Sequence, residues 1–302
     1  MRTVCVVGAG AIGSLIAAHL SRVVRVVVLT RRDEQAAALA EHGLRVSGLR
    51  EFTAGLEATS SPAALTAFEL AIVTTKATDV SEAAQALEGH SEEAVIMTIQ
   101  NGLGAEELVR QHGPWPIVAG TTLMGGTRHS DTHVEFELDA PTWLGPYEGT
   151  RHEQVERVVS LFRSAGLQVE GFSDLAPSRW SKLVFNASVG TISALTELPH
   201  SAPFVEHEGV GGLVRAVISE VSTVATAAGI QLAEDPWELN VRAVDDDYAH
   251  PPSILLDVWA RRRTEVDFNI GAIVREADRL DVAVPLSRAL YALLKAKESS
   301  YT

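Results

Sequence analysis

The feature that most constrains this chain is the stretch from Val4 to Leu20. It begins with a short apolar run, VCVV, which predicts a strand buried on both faces. Three glycines, Gly8, Gly10 and Gly13, follow at G-x-G-x-x-G spacing and lead into helix-compatible residues. At this spacing the first glycine permits a tight turn, the second lets the backbone approach a pyrophosphate, and the third lets helix and strand pack closely. The stretch therefore predicts the first unit of a dinucleotide-binding fold, and a glycine-rich turn without a ligand is the alternative.

Length and composition indicate an ordinary globular protein. The 302 residues suffice for two domains, and 46% of them are hydrophobic and 21% charged. A net charge of −14 argues against nucleic acid and anionic membranes as partners. The sequence has no apolar run long enough to predict a membrane span, no signal peptide is expected, and the single cysteine, Cys5, excludes an internal disulfide. We therefore expect a cytoplasmic protein.

The residues after the second predicted strand, at residues 23–29, indicate which dinucleotide is bound. NAD-binding folds usually place an acidic residue here for the ribose 2′-hydroxyl. This chain has Arg31 and Arg32 instead, and guanidinium groups suit a 2′-phosphate. The pattern favours NADP over NAD and leaves open which arginine makes the contact. A pair of solvated arginines at a helix start is the alternative.

Two further polar residues follow predicted buried strands. Lys76 follows the run at residues 70–74, and Asn101 follows the run at residues 95–99. Open α/β sheets bind ligands at the carboxyl ends of parallel strands, so both residues are candidates for a site. The dipeptide Asn101-Gly102 is also typical of a simple turn.

The next segment predicts an antiparallel edge. Residues 133–138 and 142–144 have strand-like patterns and predict a hairpin. His129, Asp131 and His133 would share one strand face, which suits a metal ion or an exposed polar face. No fourth ligand is apparent in the sequence, so no metal is predicted.

The strand pattern largely stops near Ser173, and the remaining chain predicts helices. These helices cover residues 180–195, 205–228, 253–280 and 286–300. A proline pair at 251 and 252 forces a break before the third helix, and Asp245–Asp247 is typical of an acidic turn. The predicted fold class is α/β, with an N-terminal Rossmann-type dinucleotide-binding domain at residues 1–172 and a C-terminal all-helical domain at residues 173–302.

The helical half contains the candidate catalytic groups. Lys182 and Asn186 are four residues apart and share one helix face. Glu265 lies on the predicted third helix. Most helix lysines are solvated surface residues, so Lys182 alone does not indicate catalysis.

Five stretches together resemble the ketopantoate reductase family. They are VVGAGAIGS at the start, TTKA around Lys76, QNGLG around Asn101, WSKLVFNAS around Lys182 and RRTEVDFNIGAIVREA around Glu265. They occur in the family's order and span nearly the whole chain. The resemblance implies NADPH in a cleft between the two domains, and reduction of ketopantoate to pantoate in pantothenate biosynthesis.

The resemblance also implies roles for individual residues. Lys182 would be the general acid, Glu265 an active-site carboxylate, and Asn101 a residue near nicotinamide and substrate. The implied cofactor-binding residues are Gly8, Ala9, Gly10, Ala11, Ile12, Gly13, Arg31 or Arg32, Lys76, Asn101 and Glu265. The implied substrate-binding residues are Lys182, Asn186 and Ser253, the last of which also suits a helix N-cap. An ammonium group can stabilise the oxyanion that forms as hydride arrives and can then protonate it.

The chain departs from the family at two places. The family commonly has asparagine one turn beyond Asn186, where this chain has Gly190, and another asparagine is replaced near His200. Loss of such hydrogen-bonding groups can change specificity greatly, so reduction of a different 2-oxo acid is an alternative. A non-catalytic NADP(H) sensor is a second alternative, although a protein that only binds has no need of Lys182. The apolar helix stripes suit either a core or a homodimer contact.

Overall fold

The computed structural model of the protein describes residues 1–245 and 251–301, so Asp246 and Asp247 of the predicted acidic turn lie outside it. The described residues form two compact units. The first unit comprises Met1–Gln100 and Gly104–Leu175. The second comprises Asn101–Leu103 and the chain from Ala176 onward.

The first unit contains strands that alternate with helices, as the buried apolar runs predict. Its strands are β1 (Thr3–Val7), β2 (Arg25–Leu29), β3 (Leu44–Gly48), β4 (Phe52–Ala54), β5 (Glu57–Thr59), β6 (Leu70–Val73), β7 (Val95–Thr98), β8 (Ile117–Thr122), β9 (Gly125–Ser130), β10 (His133–Leu138), β11 (Thr142–Pro146) and β12 (Val169–Gly171). Its helices are α1 (Ala11–Leu20), α2 (Asp33–His42), α3 (Val80–Gln85), α4 (Ala105–Arg110) and α5 (His152–Ser164), with 3₁₀ turns at Pro62–Ala64 and Ala77–Asp79.

The larger sheet of this unit has the order β12-β11-β8-β7-β6-β1-β2-β5. Strands β1, β2, β5, β6, β7 and β8 are parallel, and β11 is antiparallel to β8. The chain moves from β1 to β2 on one side and returns to β6 on the other, so the strand order reverses between β1 and β6. Ligands bind outside the carboxyl ends of the strands at such a switch point. The predicted α/β class is confirmed.

The predicted hairpin of residues 133–138 and 142–144 is wrong. Strand β10 pairs with β9 and β3 in a second sheet of order β4-β3-β10-β9, whereas β11 pairs with β8 and β12 in the larger sheet. Val134 and Phe136 of β10 are fully buried in the same core as Leu15 of α1. Alternation of apolar residues identifies a strand but not its partner, which contacts distant in sequence decide.

The second unit is helical within the described residues, as predicted. Its helices are α6 (Ala176–Phe185), α7 (Thr191–Thr196), α8 (Pro203–Glu206), α9 (Glu208–Ala227), α10 (Pro236–Asp245), α11 (Ser253–Trp259), α12 (Ile270–Leu280) and α13 (Pro285–Glu298). A π-helical turn at Asn186–Gly190 joins α6 to α7. The single helix predicted at residues 253–280 is wrong, because α11 and α12 are separated by a non-helical segment at residues 260–269. Arg261 in this segment has φ +49°, which a continuing helix cannot contain.

Helix α9 lies at the centre of the core of the second unit. Val214, Val217, Val221 and Val224 are fully buried in that core. Among the described residues α9 is the one helix long and apolar enough to cross a membrane. Packing of its valine stripe in the core accounts for this composition.

Candidate active site

The glycine loop after β1 has the geometry of a phosphate cradle. Gly8 has φ +104° and donates its N–H to Leu29 O at 2.9 Å. A Cβ at Gly13 would overlap Gly8 O and Thr74 Oγ1, so only glycine lets α1 approach this closely. A Cβ at Gly10 would meet no atom of residues 1–245 and 251–301 within 4 Å, which leaves open space among them at the N-cap of α1. The start of α1 therefore presents N–H groups and the positive end of the helix dipole to an anion.

Two polar residues to which the sequence assigned no role hold this loop or the backbone after β6. Thr74, directly after β6, donates its hydroxyl to Gly8 O at 2.8 Å. Gln100, after β7, is buried and donates its amide to Val73 O at 2.8 Å and Thr75 O at 2.9 Å. Both lie at the carboxyl ends of parallel strands, and this position is the signal that could have identified them.

The structure distinguishes the two candidate arginines. The Arg31 side chain is 74% exposed, and its guanidinium lies 3.6 Å from the Asp79 carboxylate. The Arg32 guanidinium is bound to Asp131, which also accepts a hydrogen bond from Arg128 at 2.8 Å. Because Arg31 is less engaged, it is the better candidate for a 2′-phosphate.

The residues of the first unit fit a dinucleotide with a 2′-phosphate. The cradle at residues 8–13 suits the pyrophosphate, and Arg31 follows β2, where the ribose is expected. Lys76 follows β6 and occupies the N-cap position of the 3₁₀ turn at Ala77–Asp79. This cation suits a phosphate group of the same ligand.

In the second unit, Lys182 meets residues from two distant parts of the chain. Its ammonium on α6 donates to Asn101 Oδ1 at 2.8 Å. Burial lowers the pKa of Lys182 from its ordinary value of 10.5 to about 8, while the Glu265 carboxylate acts to raise it and Arg179 acts to lower it. The structure thus brings the predicted Lys182, Asn101 and Glu265 into one electrostatic cluster. A lysine with a pKa near the working pH suits general acid catalysis.

The segment Asn101–Leu103 is held by the helical unit to which it belongs. Gly102 O accepts from Arg179 Nε at 3.0 Å, and Leu103 N donates to Phe268 O at 2.9 Å. Gly102 has φ +88°, and a Cβ there would overlap Phe268 O. Glycine is therefore required beside Asn101 both by its conformation and by the close approach of a backbone carbonyl.

Glu265 lies on the non-helical segment at residues 260–269, so its predicted helical position is wrong. The Glu265 carbonyl accepts N–H groups from Phe268 at 3.0 Å and Asn269 at 3.1 Å. The segment nevertheless keeps Glu265 within electrostatic reach of Lys182.

Asn186 is the first residue of the π-helical turn. From Lys182 to Asn186 the chain makes four α-helical steps, which rotate the side-chain direction about 40° past one full turn. From Asn186 to Gly190 the chain makes four steps of the wider π turn, which stop about 30° short of one full turn. The two deviations oppose each other, so Lys182, Asn186 and Gly190 lie along one face. At Gly190 a Cβ would meet Ile254 Cγ2 at 3.3 Å, and no other atom of the described residues outside its own helix lies within 4 Å.

Ser253 lies at the start of α11. Ser253 is the first residue of α11 and Pro252 is its N-cap, so the interpretation of Ser253 as the N-cap is wrong.

His200 is buried, with Nε2 2.8 Å from Asn240 Oδ1, and burial lowers its pKa. His200 therefore has a structural contact with α10, a helix that the sequence pattern did not predict.

The polar residues at positions 129, 131 and 133 do not share one strand face. His129 is on β9, His133 is on β10, and Asp131 lies in the turn between them. His129 Nε2 lies 2.7 Å from the Glu135 carboxylate. Within residues 1–245 and 251–301, no group of three His, Cys, Asp or Glu residues is arranged to hold a metal ion.

A phosphate cradle on an α/β unit is typical of dinucleotide-binding proteins, and a lysine with a lowered pKa suits proton transfer, so the two features together indicate a nicotinamide-dependent oxidoreductase. Two matches to family patterns extend this assignment: Ketopantoate reductase PanE/ApbA matches residues 4–149, and the C-terminal part of the same family matches residues 174–298. The chain belongs to the ketopantoate reductase family, whose members are NADP-dependent oxidoreductases acting on a 2-oxo acid.

Individual relatives span the same length. A 2-dehydropantoate 2-reductase from Pyrococcus horikoshii is 32% identical over 295 residues, which cover 97% of each chain. The solved ketopantoate reductase of Ralstonia eutropha matches with a TM-score of 0.90 and 26% identity over 99% of each chain. A D-mandelate dehydrogenase solved with NADH and anilino(oxo)acetate has a TM-score of 0.90 and 22% identity over 99% of each chain, and so shares the fold.

Proposed function

We propose that this protein reduces ketopantoate to pantoate with NADPH, as a step of pantothenate biosynthesis in the cytoplasm. The observation that supports this most directly is the ammonium of Lys182, which donates to Asn101 and has its pKa lowered to about 8. The full-length similarity to proteins named 2-dehydropantoate 2-reductase supports the choice of substrate.

In this proposal the residues of the second unit act on the carbonyl group. NADPH, when bound, supplies a hydride to the 2-carbon of the oxo acid. Lys182 stabilises the negative charge that develops on the carbonyl oxygen and then gives that oxygen its proton, so the product is a hydroxyl group. Asn101 orients the ammonium, and the Glu265 carboxylate favours its charged form before transfer. Lys182 regains its proton from solvent.

Each domain would contribute its own set of binding residues. Residues 1–172 would form the cofactor domain, with Arg31 holding the 2′-phosphate and Lys76 another phosphate. Residues 173–302 would form the substrate domain, in which Asn186 and Ser253 bind the substrate. Asn186 is supported by its place on the face that Lys182 occupies.

The test is the loss of NADPH absorbance with ketopantoate and with a panel of other 2-oxo acids. Lys182→Ala should abolish most turnover while NADPH still binds. Lys297→Ala serves as a matched lysine control, because Lys297 pairs with the exposed Glu197 at 2.9 Å. Unchanged turnover in Lys182→Ala would remove Lys182 from the mechanism. Tight NADPH binding without turnover of any acid would favour a sensor.

Gly190 favours a second candidate, the reduction of a different 2-oxo acid. On the face shared with Lys182 and Asn186, Gly190 has no side chain and faces the Ile254 methyl group. This position offers an apolar surface in place of a hydrogen-bonding group, which would leave a substrate hydroxyl unpaired. The similarly folded D-mandelate dehydrogenase is named for a different 2-hydroxy acid. Faster turnover of an apolar 2-oxo acid than of ketopantoate would support this candidate.

A further inference from the structure

The segment that carries Glu265 is not helical, so its conformation depends on contacts from outside the segment. On one side of Glu265 lies Thr264, which is fully buried. Thr264 donates its N–H at 2.6 Å and its hydroxyl at 3.0 Å to Glu298 Oε1 of α13. Burial acts to raise the pKa of Glu298, but hydrogen bonds from Lys295 and Thr264 outweigh it and keep the pKa below its ordinary value. An ionised carboxylate therefore holds the backbone directly before Glu265.

On the other side of Glu265 lies Asp267. Its carboxylate accepts from Tyr291 Oη at 2.6 Å and from Lys295 Nζ at 3.1 Å, and both donors are on α13. Lys295 Nζ also donates to Glu298 Oε2 at 2.9 Å. One ammonium thus joins the two carboxylates that hold the backbone on either side of Glu265.

The same segment also supports Asn101. Phe268 O accepts the N–H of Leu103, two residues after Asn101, and Asn101 in turn accepts from Lys182. Moving the segment would therefore displace Glu265 and remove a backbone contact that supports Asn101, and each of these residues interacts with the Lys182 ammonium from a distant part of the chain. Arg179 also interacts with Lys182, but it is on α6 itself and its guanidinium is held by Gly102 O at 3.0 Å rather than by the Glu265 segment.

We propose that Lys295 is a positioning residue for this enzyme: by joining Asp267 to Glu298 it holds the Glu265 segment against Lys182. Lys295 lies on α13 and acts on the site through the segment at residues 260–269. The effect on catalysis rests on the proposed function, whereas the effect on Lys182 does not.

The first test therefore measures Lys182 without any substrate. Competitive labelling of amines with trace acetic anhydride, read by mass spectrometry of the Lys182 peptide, gives the titration midpoint of that one lysine. In Lys295→Met the Glu265 carboxylate should move away, and the midpoint should fall by roughly half a pH unit or more. Removing a positive charge without moving the segment would raise the midpoint instead, so the sign separates positioning from long-range electrostatics.

Two further variants keep the test decisive. Arg288→Met removes a cation from the same helix, where Arg288 pairs with the exposed Asp278 at 2.6 Å, and should leave the Lys182 midpoint unchanged. If Lys295→Met does not fold, Tyr291→Phe removes one hydrogen bond from Asp267 and leaves every charge in place. Its midpoint should fall in the same direction by a smaller amount.

Kinetics provide the second readout. Lys295→Met should lower kcat by roughly tenfold or more with little change in the Kd of NADPH, and Lys295→Arg should recover most of the loss. A midpoint that rises or stays constant in both Lys295→Met and Tyr291→Phe would overturn the proposal and leave Lys295 with a role in stability alone. A shifted midpoint in a protein that reduces no 2-oxo acid would uphold the positioning role and reject the proposed function.

Discussion

Replacing Lys182 with methionine should stabilise the folded protein at neutral pH while it slows turnover. Burial lowers the pKa of Lys182 from 10.5 to about 8. Because each pKa unit corresponds to about 1.4 kcal/mol, the folded state loses about 3 kcal/mol by holding the charged ammonium at any pH below about 8. Methionine has a similar length and no charge, so it removes this cost. It also removes the hydrogen bond to Asn101, and that loss does not depend on pH.

The sign of the pH dependence follows from proton binding. Above about pH 8 the folded protein releases the Lys182 proton, whereas the unfolded chain retains it up to about pH 10.5. The unfolded state then binds more protons, so the wild-type free energy of unfolding rises with pH relative to that of the variant. The advantage of Lys182→Met is therefore largest below about pH 8 and should shrink by about 3 kcal/mol as pH approaches 10.5.

Urea unfolding of both proteins, followed by circular dichroism from about pH 7 to about pH 10, measures this difference. A constant difference across the range would refute the lowered pKa. For activity, kcat/KM of the wild type should be flat below about pH 8 and fall tenfold per pH unit above it if, as proposed, the protonated lysine is the donor. Turnover by Lys182→Met should be lower by about 10² to 10⁴. A wild-type profile with no decline above about pH 8 would contradict the role of Lys182 as acid.

Three other predictions test separate parts of the proposed site. Arg31→Ala should weaken NADPH binding by about tenfold or more and leave NADH binding unchanged. Arg32→Ala should weaken NADPH binding less, because Arg32 is bound to Asp131. Titration by cofactor fluorescence measures both losses, and equal losses would show that the assignment to Arg31 is wrong. Gly102→Ala should destabilise the protein by more than about 1 kcal/mol and lower kcat, because its φ is +88° and the new Cβ overlaps a backbone carbonyl; wild-type melting and turnover would contradict this. Gly190→Asn should raise kcat/KM for ketopantoate relative to apolar 2-oxo acids, and an unchanged ratio would exclude position 190 from specificity.

Much of the first unit, which we propose binds the cofactor, could be predicted from local sequence. The glycine spacing, the buried valine runs and the arginines after the second strand each reflect interactions among neighbouring residues. Turn geometry, strand burial and helix-terminus chemistry are local, so the motif that begins at Gly8 predicted both the fold class and the position of the cradle. The two arginines could not be ranked in this way, because the partner of Arg32 is Asp131, which is distant in sequence.

Other features arise from contacts between distant segments and have no local signature. Apolar spacing continued through residues 253–280 as though one helix were present, yet α13 supplies hydrogen bonds that stabilise a non-helical segment around Glu265. In the sequence, Lys182 resembles any other helix lysine. In the fold, burial lowers its pKa, Asn101 accepts a hydrogen bond from it, and Glu265 acts to raise its pKa. These two residues are each about eighty positions away in the sequence. The sequence thus specifies which chemical groups are available. Their protonation and orientation depend on burial and on long-range hydrogen bonds, which exist only once the chain is folded.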